Sequence, residues 1–290
     1  ILVENHKLCG YIDCFTPITN RYSKSKQDQK NLVASIIALG TYLGLGEMGE
    51  ISDIGYHTLA STTHSLIRLE TLRLANDKIS NTIAKLPICK YYNILEEIIH
   101  ASIDGSKIET QFDTFNSRHS SKYFGLSKGV SALTLVVNHI PANSKMAGAH
   151  EYEGHFIFDL LFNNTSEIQP DVLSTDTHGT NAVNFAILYL FDYLFAPRYK
   201  DTGSKLNDIY SFRHKRAYTG MPIQPKRKIN TQLIIEEWEQ IKRIMVSLAT
   251  KSTTQSIIIS KLSAYERRNR TKSALCEFDN IIRSIHLLKY

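Results

Sequence analysis

Two short segments carry the residues best suited to chemistry. Asp104 stands in Ile-His-Ala-Ser-Ile-Asp-Gly-Ser-Lys (99–107) and Asp176 in Asp-Val-Leu-Ser-Thr-Asp-Thr-His-Gly (171–179). Each aspartate closes an apolar, β-branched run and is followed at once by small or turn-forming residues. That pattern carries a carboxylate on the end of a buried strand, at a sheet edge open to a ligand. Two such carboxylates side by side make half of a divalent-metal site, and paired metals clamp the attacking and leaving oxygens of a phosphoryl transfer. Aspartate is equally a turn or helix-cap residue. For Asp176 that alternative has force, because Thr177-His178-Gly179-Thr180 leads into an apolar helix.

Further candidates cluster around these two. His178, two residues after Asp176, can touch a phosphate, orient a carboxylate or serve structure alone. Arg118, Lys122 and Tyr123 lie near Gly125 and Gly129, and basic and aromatic side chains on such a connection can hold a nucleic-acid backbone or simply form a surface loop. Arg198 follows Pro197 and can point toward the same sheet edge. The stretch His150-Glu151-Tyr152-Glu153-Gly154-His155 suggests a zinc-protease helix at first sight. Its histidines are five apart rather than four and share no helix face, so it reads as a helix start with ordinary surface polar residues. No phosphate-binding glycine loop, dinucleotide fingerprint or serine elbow is present, which gives no support to nucleotide hydrolysis, hydride transfer or acyl transfer.

The elements that must position these groups fall into three segments. Residues 1–97 read as a helical lead-in, a scaffold or dimerisation region. Within it Asn31 to Leu45 has the texture of a buried helix, and Leu66, Leu69 and Leu72 make one core-facing stripe over Leu59 to Leu74. Residues 98–222 read as the catalytic core. Ile98 to Ser106 is a strand ending at Asp104-Gly105. Ser131 to Ile140 is a strand paired with Ser144 to Ala149 across a Pro141-Ala142-Asn143 turn. Tyr152 to Phe162 is a helix, Val172 to Asp176 a strand and Asn181 to Leu194 a helix, with an extended piece from Ala196. Residues 223–290 read as a helical flank, with helices over Thr231 to Leu248 and from Thr253 onward. The order predicts an α/β fold with a mixed sheet and helical flanks.

The bulk properties agree with a globular protein of 290 residues. No apolar run is long enough to span a bilayer. Ile1 suggests a piece of something longer, without a signal-peptide pattern. Cys9, Cys14, Cys89 and Cys276 lack zinc-ligand spacing and fit reduced thiols of an intracellular protein. The net charge of +6 hides an asymmetry: from Arg198 onward 19 Lys+Arg stand against 8 Asp+Glu, and Lys226-Arg227-Lys228 is one basic cluster. A solvated helical face accounts for this, and so does a polyanionic partner such as nucleic acid.

Ser-Thr-Asp-Thr-His-Gly at 174–179, an apolar helix and then Phe195-Ala196-Pro197-Arg198 resemble the central motif of the Tn-three family of replicative transposases. Ser-Ile-Asp-Gly at 102–105, Lys122-Tyr123-Phe124-Gly125 and Gly129-Val130-Ser131 resemble the family's first catalytic motif and its sequel. Leu39-Gly40-Thr41-Tyr42-Leu43-Gly44-Leu45 and Met48 are also similar. The resemblance implies a ribonuclease-H-like domain with an Asp-Asp-Glu triad that binds two magnesium or manganese ions. It implies cleavage of transposon ends and transfer of the freed 3′ hydroxyl to target DNA. Asp104 and Asp176 match the first two triad positions. Arg118, Lys122, His178, Arg198, Lys226, Arg227 and Lys228 are then expected DNA contacts. The family's glutamate is expected beyond residue 290, since Glu266 and Glu277 lie in helices that resemble those before it; this piece alone is accordingly expected to be inactive. A homodimer of the full-length protein and a bacterial, cytoplasmic, nucleoid-associated setting are implied as well. The alternatives are another ribonuclease-H-like nuclease or integrase, or a non-catalytic DNA-binding or assembly module.

Overall fold

The computed structural model describes residues 1–18, 28–94, 97–176, 180–263 and 269–289. They divide into two compact units: Ile1–Cys89 with Thr165–Ile168, and Lys90–Asn164 with Gln169–Tyr290. No cysteine forms a disulfide. Among the described residues no helix is long and apolar enough to cross a membrane.

The first unit holds α1 (Leu2–Cys9), α2 (Gln29–Gly40), α3 (Leu45–Ile51), α4 (Tyr56–Leu66) and α5 (Leu69–Ala84). Its core is Tyr11, Ile12, Phe15, Leu32, Leu66 and Ala75, with a second cluster of Ala38, Met48, Ile54 and Leu59. The expected buried helix is only half buried, because α2 turns Leu32, Ser35 and Ala38 inward and leaves Ile37 and Leu39 exposed. The expected leucine stripe is also broken. Ile67 and Arg68 are extended, and the helix restarts at Leu69. The Thr71 hydroxyl marks the break by accepting from Arg68 N–H (3.0 Å) and donating to Leu66 O (2.7 Å). The new helix starts in a different phase, so Leu66 is buried while Leu69 is 62% and Leu72 45% exposed.

The second unit is a mixed sheet with covering helices and has a ribonuclease-H-like fold. Its first strands are β1 (His100–Glu109), β2 (Arg118–His119), β3 (Lys128–Val137) and β4 (Ile140–Gly148), with the short α6 (Ser121–Phe124) after β2. Then come α7 (Ile157–Phe162), β5 (Val172–Thr175), α8 (Asn184–Leu190) and β6 (Leu194–Phe195). The sheet runs β2-β3-β1-β5-β6, and β4 also pairs with β3. β1 is antiparallel to β3 and parallel to β5, and β5 is parallel to β6. The parallel pairings need crossovers, which α7 and α8 supply.

Two expectations about this sheet change. β1 does not stop at Asp104-Gly105 but continues to Glu109 along β3. The hairpin turns at Asn138-His139, not at Pro141 to Asn143. Both turn residues have positive φ (47° and 69°), the left-handed pair that a two-residue hairpin requires. Pro141 lies in β4, beside the irregularity at Leu135/Val136 where a missing N–H is tolerated.

The sheet has two unlike faces. On one, Ala101, Ile103, Leu133, Leu135, Val137, Leu173 and Phe195 are buried, and α7 lies against β3 and β4 while α8 lies against β6. The other carries Ser102, Asp104, Ala132, Thr134, Val136 and Ser174, all half-buried or exposed. α9 (Thr202–Leu206), β7 (Tyr210–Ser211) and β8 (Arg227–Lys228) follow, and the unit ends in α10 (Thr231–Glu236), α11 (Trp238–Ala249), α12 (Gln255–Ser263) and α13 (Arg270–Lys289).

Buried polar groups join these last helices to the core. Gln255 is fully buried. Its carbonyl accepts from Phe158 N–H (2.9 Å), its amide donates to Asn184 Oδ1 (2.5 Å), and its own N–H donates to Asp159 Oδ1 (2.9 Å). α13 packs on α8 and buries Asp279 completely, with Ala186 N–H donating to Asp279 Oδ1 (3.2 Å) and Arg283 at 3.3 Å. Burial pushes the Asp279 carboxyl from 3.8 up to about 7.

A carboxyl whose folded value exceeds its unfolded one binds more protons when folded. Asp279 therefore stabilises the fold most below pH about 4, and this contribution fades as pH rises through about 7. Asp279→Asn is neutral at every pH and keeps an acceptor for Ala186. Urea midpoints measured from pH 4 to 8 should fall less steeply for the variant than for the parent chain; an identical pH slope would contradict this assignment.

Candidate active site

β1 and β5 pair in parallel through His100↔Val172, Ala101↔Leu173, Ser102↔Ser174 and Ile103↔Thr175. The next step of that register sets Asp104 opposite Asp176, the residue directly after β5. Neighbouring strands are about 4.8 Å apart, so the two carboxylates start from adjacent backbone positions. Side chains of paired residues share a face, which is the open one here, and both aspartates are exposed. Asp104 Oδ1 accepts from the N–H of Gly105 at 2.8 Å. On the same face the His100 ring hydrogen-bonds the Ser174 hydroxyl. Burial lowers the His100 pKa, with His139 adding to the effect.

The row extends by one residue. Leu194, Ala196 and Arg198 N–H donate in turn to the carbonyls of Asp171 (3.1 Å), Leu173 (2.8 Å) and Thr175 (2.9 Å). That every-second-residue pattern carries the parallel ladder past the end of β6 and puts Arg198 in register with Asp176. Phe195 and Pro197 are buried while Arg198 is exposed, which is the alternation of a strand with Arg198 on the open face. Asp104, Asp176 and Arg198 thus form one row of two acids and a base, at the carboxyl ends of β5 and β6.

Behind Asp104, on the opposite face, lies a group that sequence reading treated as ordinary surface. A Cβ added to Gly105 would lie 2.5 Å from the carboxyl of Glu153. Glu153 is held there by Lys107 (2.8 Å) and by the Ser131 hydroxyl (3.1 Å), while Lys107 also donates to Ser131 Oγ (3.0 Å). Lys107 and Lys122 stand over the Tyr123 ring, at 5.3 and 4.8 Å from its centroid. The clue was present: a strand period of two puts Gly105 and Lys107 on one face, leaving room and charge for a carboxylate. Tyr152, beside Glu153, donates to Thr180 O. Its pKa is raised by burial first, then by Asp176 and Glu153.

The remaining expected site residues lie elsewhere. Arg118 pairs with Gly129, opposite Glu109 on the other edge of β3, and its guanidinium donates to Phe115 O (2.9 Å) and Ser117 O (2.8 Å). Glu109 is five residues from Asp104, roughly 17 Å along the strand. Lys122 is exposed on α6. Two of the three residues of the basic cluster are committed within the fold. Lys226 pairs with Asp208 at 2.7 Å, and Arg227 forks onto Glu277 at 2.6 and 3.0 Å and covers the Tyr210 ring. Lys228 is exposed on β8. Glu277 also accepts from Asn230 N–H (3.0 Å), so its carboxylate serves the helical region. His178 and Glu266 fall outside the described residues.

Among the described residues no three His, Cys, Asp or Glu side chains gather as a metal cage. The Asp104–Asp176 pair still fits an open site for a hard cation. Mg²⁺ commonly takes one or two carboxylates and completes its shell with water and substrate phosphate.

The model of a family described as "Tn3 transposase DDE domain" matches residues 1–290. Similar curated proteins include the transposase for transposon Tn1546 of Enterococcus faecium (22% identical), that for Tn4556 of Streptomyces fradiae (24%) and that for Tn2501 of Escherichia coli (26%). Each match covers 100% of this chain, and the chain spans only 29%, 32% and 29% of those relatives.

The Gly105–Glu153 contact makes a testable claim. Gly105→Ala should expel Glu153 from Lys107 and Ser131 and cost about 1–3 kcal/mol, the usual range for overpacking. Glu153→Ala opens the space, so the added cost of Gly105→Ala in that background should fall by more than about 0.5 kcal/mol. Thermal denaturation of the four forms measures this, and simple additivity would rule the contact out.

Proposed function

Because this chain belongs to the Tn3 transposase DDE family, we propose that it is the catalytic region of a DNA transposase, cutting transposon ends and joining the freed 3′ hydroxyl to target DNA. The observation that supports this most is the parallel register of β1 and β5, which runs to Ile103↔Thr175, one residue short of Asp104 and Asp176. In this reading Asp104 and Asp176 are the first two carboxylates of the family triad. They hold Mg²⁺ or Mn²⁺, two ions in the complete site, and the third carboxylate comes from outside the described residues. Bound ions neutralise charge on the transferred phosphoryl group and activate the attacking hydroxyl.

The chain's own residues supply the geometry. Asp104 and Asp176 fix where that positive charge sits, because Asp104 lies in β1 and Asp176 directly follows its partner strand β5. Arg198 presents a guanidinium to a phosphate at the end of the same row. The hydroxyl oxygen gives its proton to solvent and forms a new bond to phosphorus as the opposite P–O bond breaks; the leaving oxygen departs with the electron pair and takes up a proton. Arg118, Lys122 and Lys228 contact the DNA backbone away from the reacting phosphate, and His178 is a further DNA contact. Lys226 and Arg227 contribute through the field they share with Asp208 and Glu277. The helical segment at 1–97 acts as scaffold or dimerisation surface in a homodimeric, nucleoid-associated protein. The lack of a third carboxylate beside Asp104 among the described residues favours, for this segment alone, a second reading as a DNA-binding module with little activity.

Manganese binding tests the carboxylate pair without requiring turnover. Titration of Mn²⁺ followed by electron paramagnetic resonance should show weak binding that Asp104→Asn and Asp176→Asn each reduce by at least about tenfold. Arg198→Ala removes a cation from the row and should tighten Mn²⁺ while weakening DNA. Mn²⁺ affinity unchanged by the double Asp variant would refute the assignment.

A further inference from the structure

The second unit holds a cavity of about 220 Å³ that the reaction scheme does not use. Its lining is joined to the row through the chain. Thr180 and Asn181 follow the Asp176 segment, and Tyr199 follows Arg198 with its side chain on the opposite face. The cavity therefore lies in the second unit at the carboxyl ends of parallel strands, the usual place for ligands in such sheets.

The lining has two chemical halves. Phe185 and Leu287, 1% and 3% exposed, give an apolar wall. Lys205 and Arg283 give a cationic one. Arg283 is anchored to Asn280 and lies 3.3 Å from Asp279, yet its Nε is buried with no hydrogen-bond partner. Asp208 also lines the cavity, but its carboxylate is engaged by Lys226 at 2.7 Å. A bare phosphate would use only the cationic half, and an apolar ligand only the other.

We propose that this cavity receives one unstacked deoxynucleotide of the DNA strand that passes Asp104 and Asp176, its phosphate on Lys205 and Arg283 and its base or sugar against Phe185 and Leu287. That the nucleotide belongs to DNA rests on the transposase reading; the cavity's preference for a nucleotide does not.

The test is binding of a labelled ten-nucleotide single strand to the 290-residue chain, without divalent metal. Ala182→Phe fills the cavity from an exposed lining position and changes no charge. Lys205→Glu reverses one phosphate contact. Each should weaken the strand at least about fivefold, and a deoxynucleoside 5′-monophosphate should displace it better than inorganic phosphate does. An Ala182→Phe variant that binds like the parent overturns the proposal and leaves Mn²⁺ binding at Asp104 and Asp176 untouched. Inorganic phosphate competing equally well overturns it in favour of a simple anion site. A parent chain that takes the monophosphate but no strand overturns the DNA assignment.

Discussion

The parallel register between β1 and β5 is the constraint on which the rest depends. Side chains alternate along a strand, so a slip of one residue would send Asp176 toward the core and bring Thr175 opposite Asp104. The register is fixed at the far end of the pair. Ile99 N–H donates to the Asp171 carboxylate (2.9 Å), and Asp171 N–H donates back to Ile99 O (2.9 Å). The burial of Ala101, Ile103 and Leu173 then holds it. An acidic residue five positions before Asp176 thus sets the geometry without approaching the row itself.

The strands that carry Asp104 and lead to Asp176 were legible because an apolar, β-branched run is a local signal. The end of the first was not: Asp104 lies within β1 rather than at its close. The α/β class followed from the order of elements for the same reason. Features that depend on partners were not legible. β1 runs past Gly105 because β3 offers it nine paired positions, which no property of residues 106–109 reveals. The hairpin turned at Asn138-His139 rather than at the proline, since strand register outweighed the most visible turn residue. Leu69 and Leu72 left the core once Thr71 restarted the helix, a phase change invisible to periodicity. Glu153 lay in a polar run that resembled surface, and only the bare Gly105 on another strand gives it a place. Lys226 and Arg227 read as a free basic patch because Asp208 and Glu277 are distant in sequence.

The charge asymmetry takes on a different meaning in the fold. The basic segment after Arg198 is a wall of the core rather than a detached tail. α13 buries Ala274, Leu275 and Asp279, and Gln255 reaches Phe158, Asp159 and Asn184. A buried glutamine with both amide groups bonded specifies one arrangement of its neighbours, since any other would strand several polar atoms. The core helices α7 and α8 and the final helices consequently share one polar scaffold.

That scaffold has a kinetic side. Gln255 closes contacts across 96, 97 and 101 residues of chain, and α7 and α8 leave buried amides and carbonyls open until it arrives. High contact order of this kind slows folding, because a long loop must be ordered before its contacts repay the lost entropy. On a ribosome the sheet would be complete well before residue 255 emerges. The nascent unit must then wait, with an apolar face only partly sheathed, for the segment that seals it.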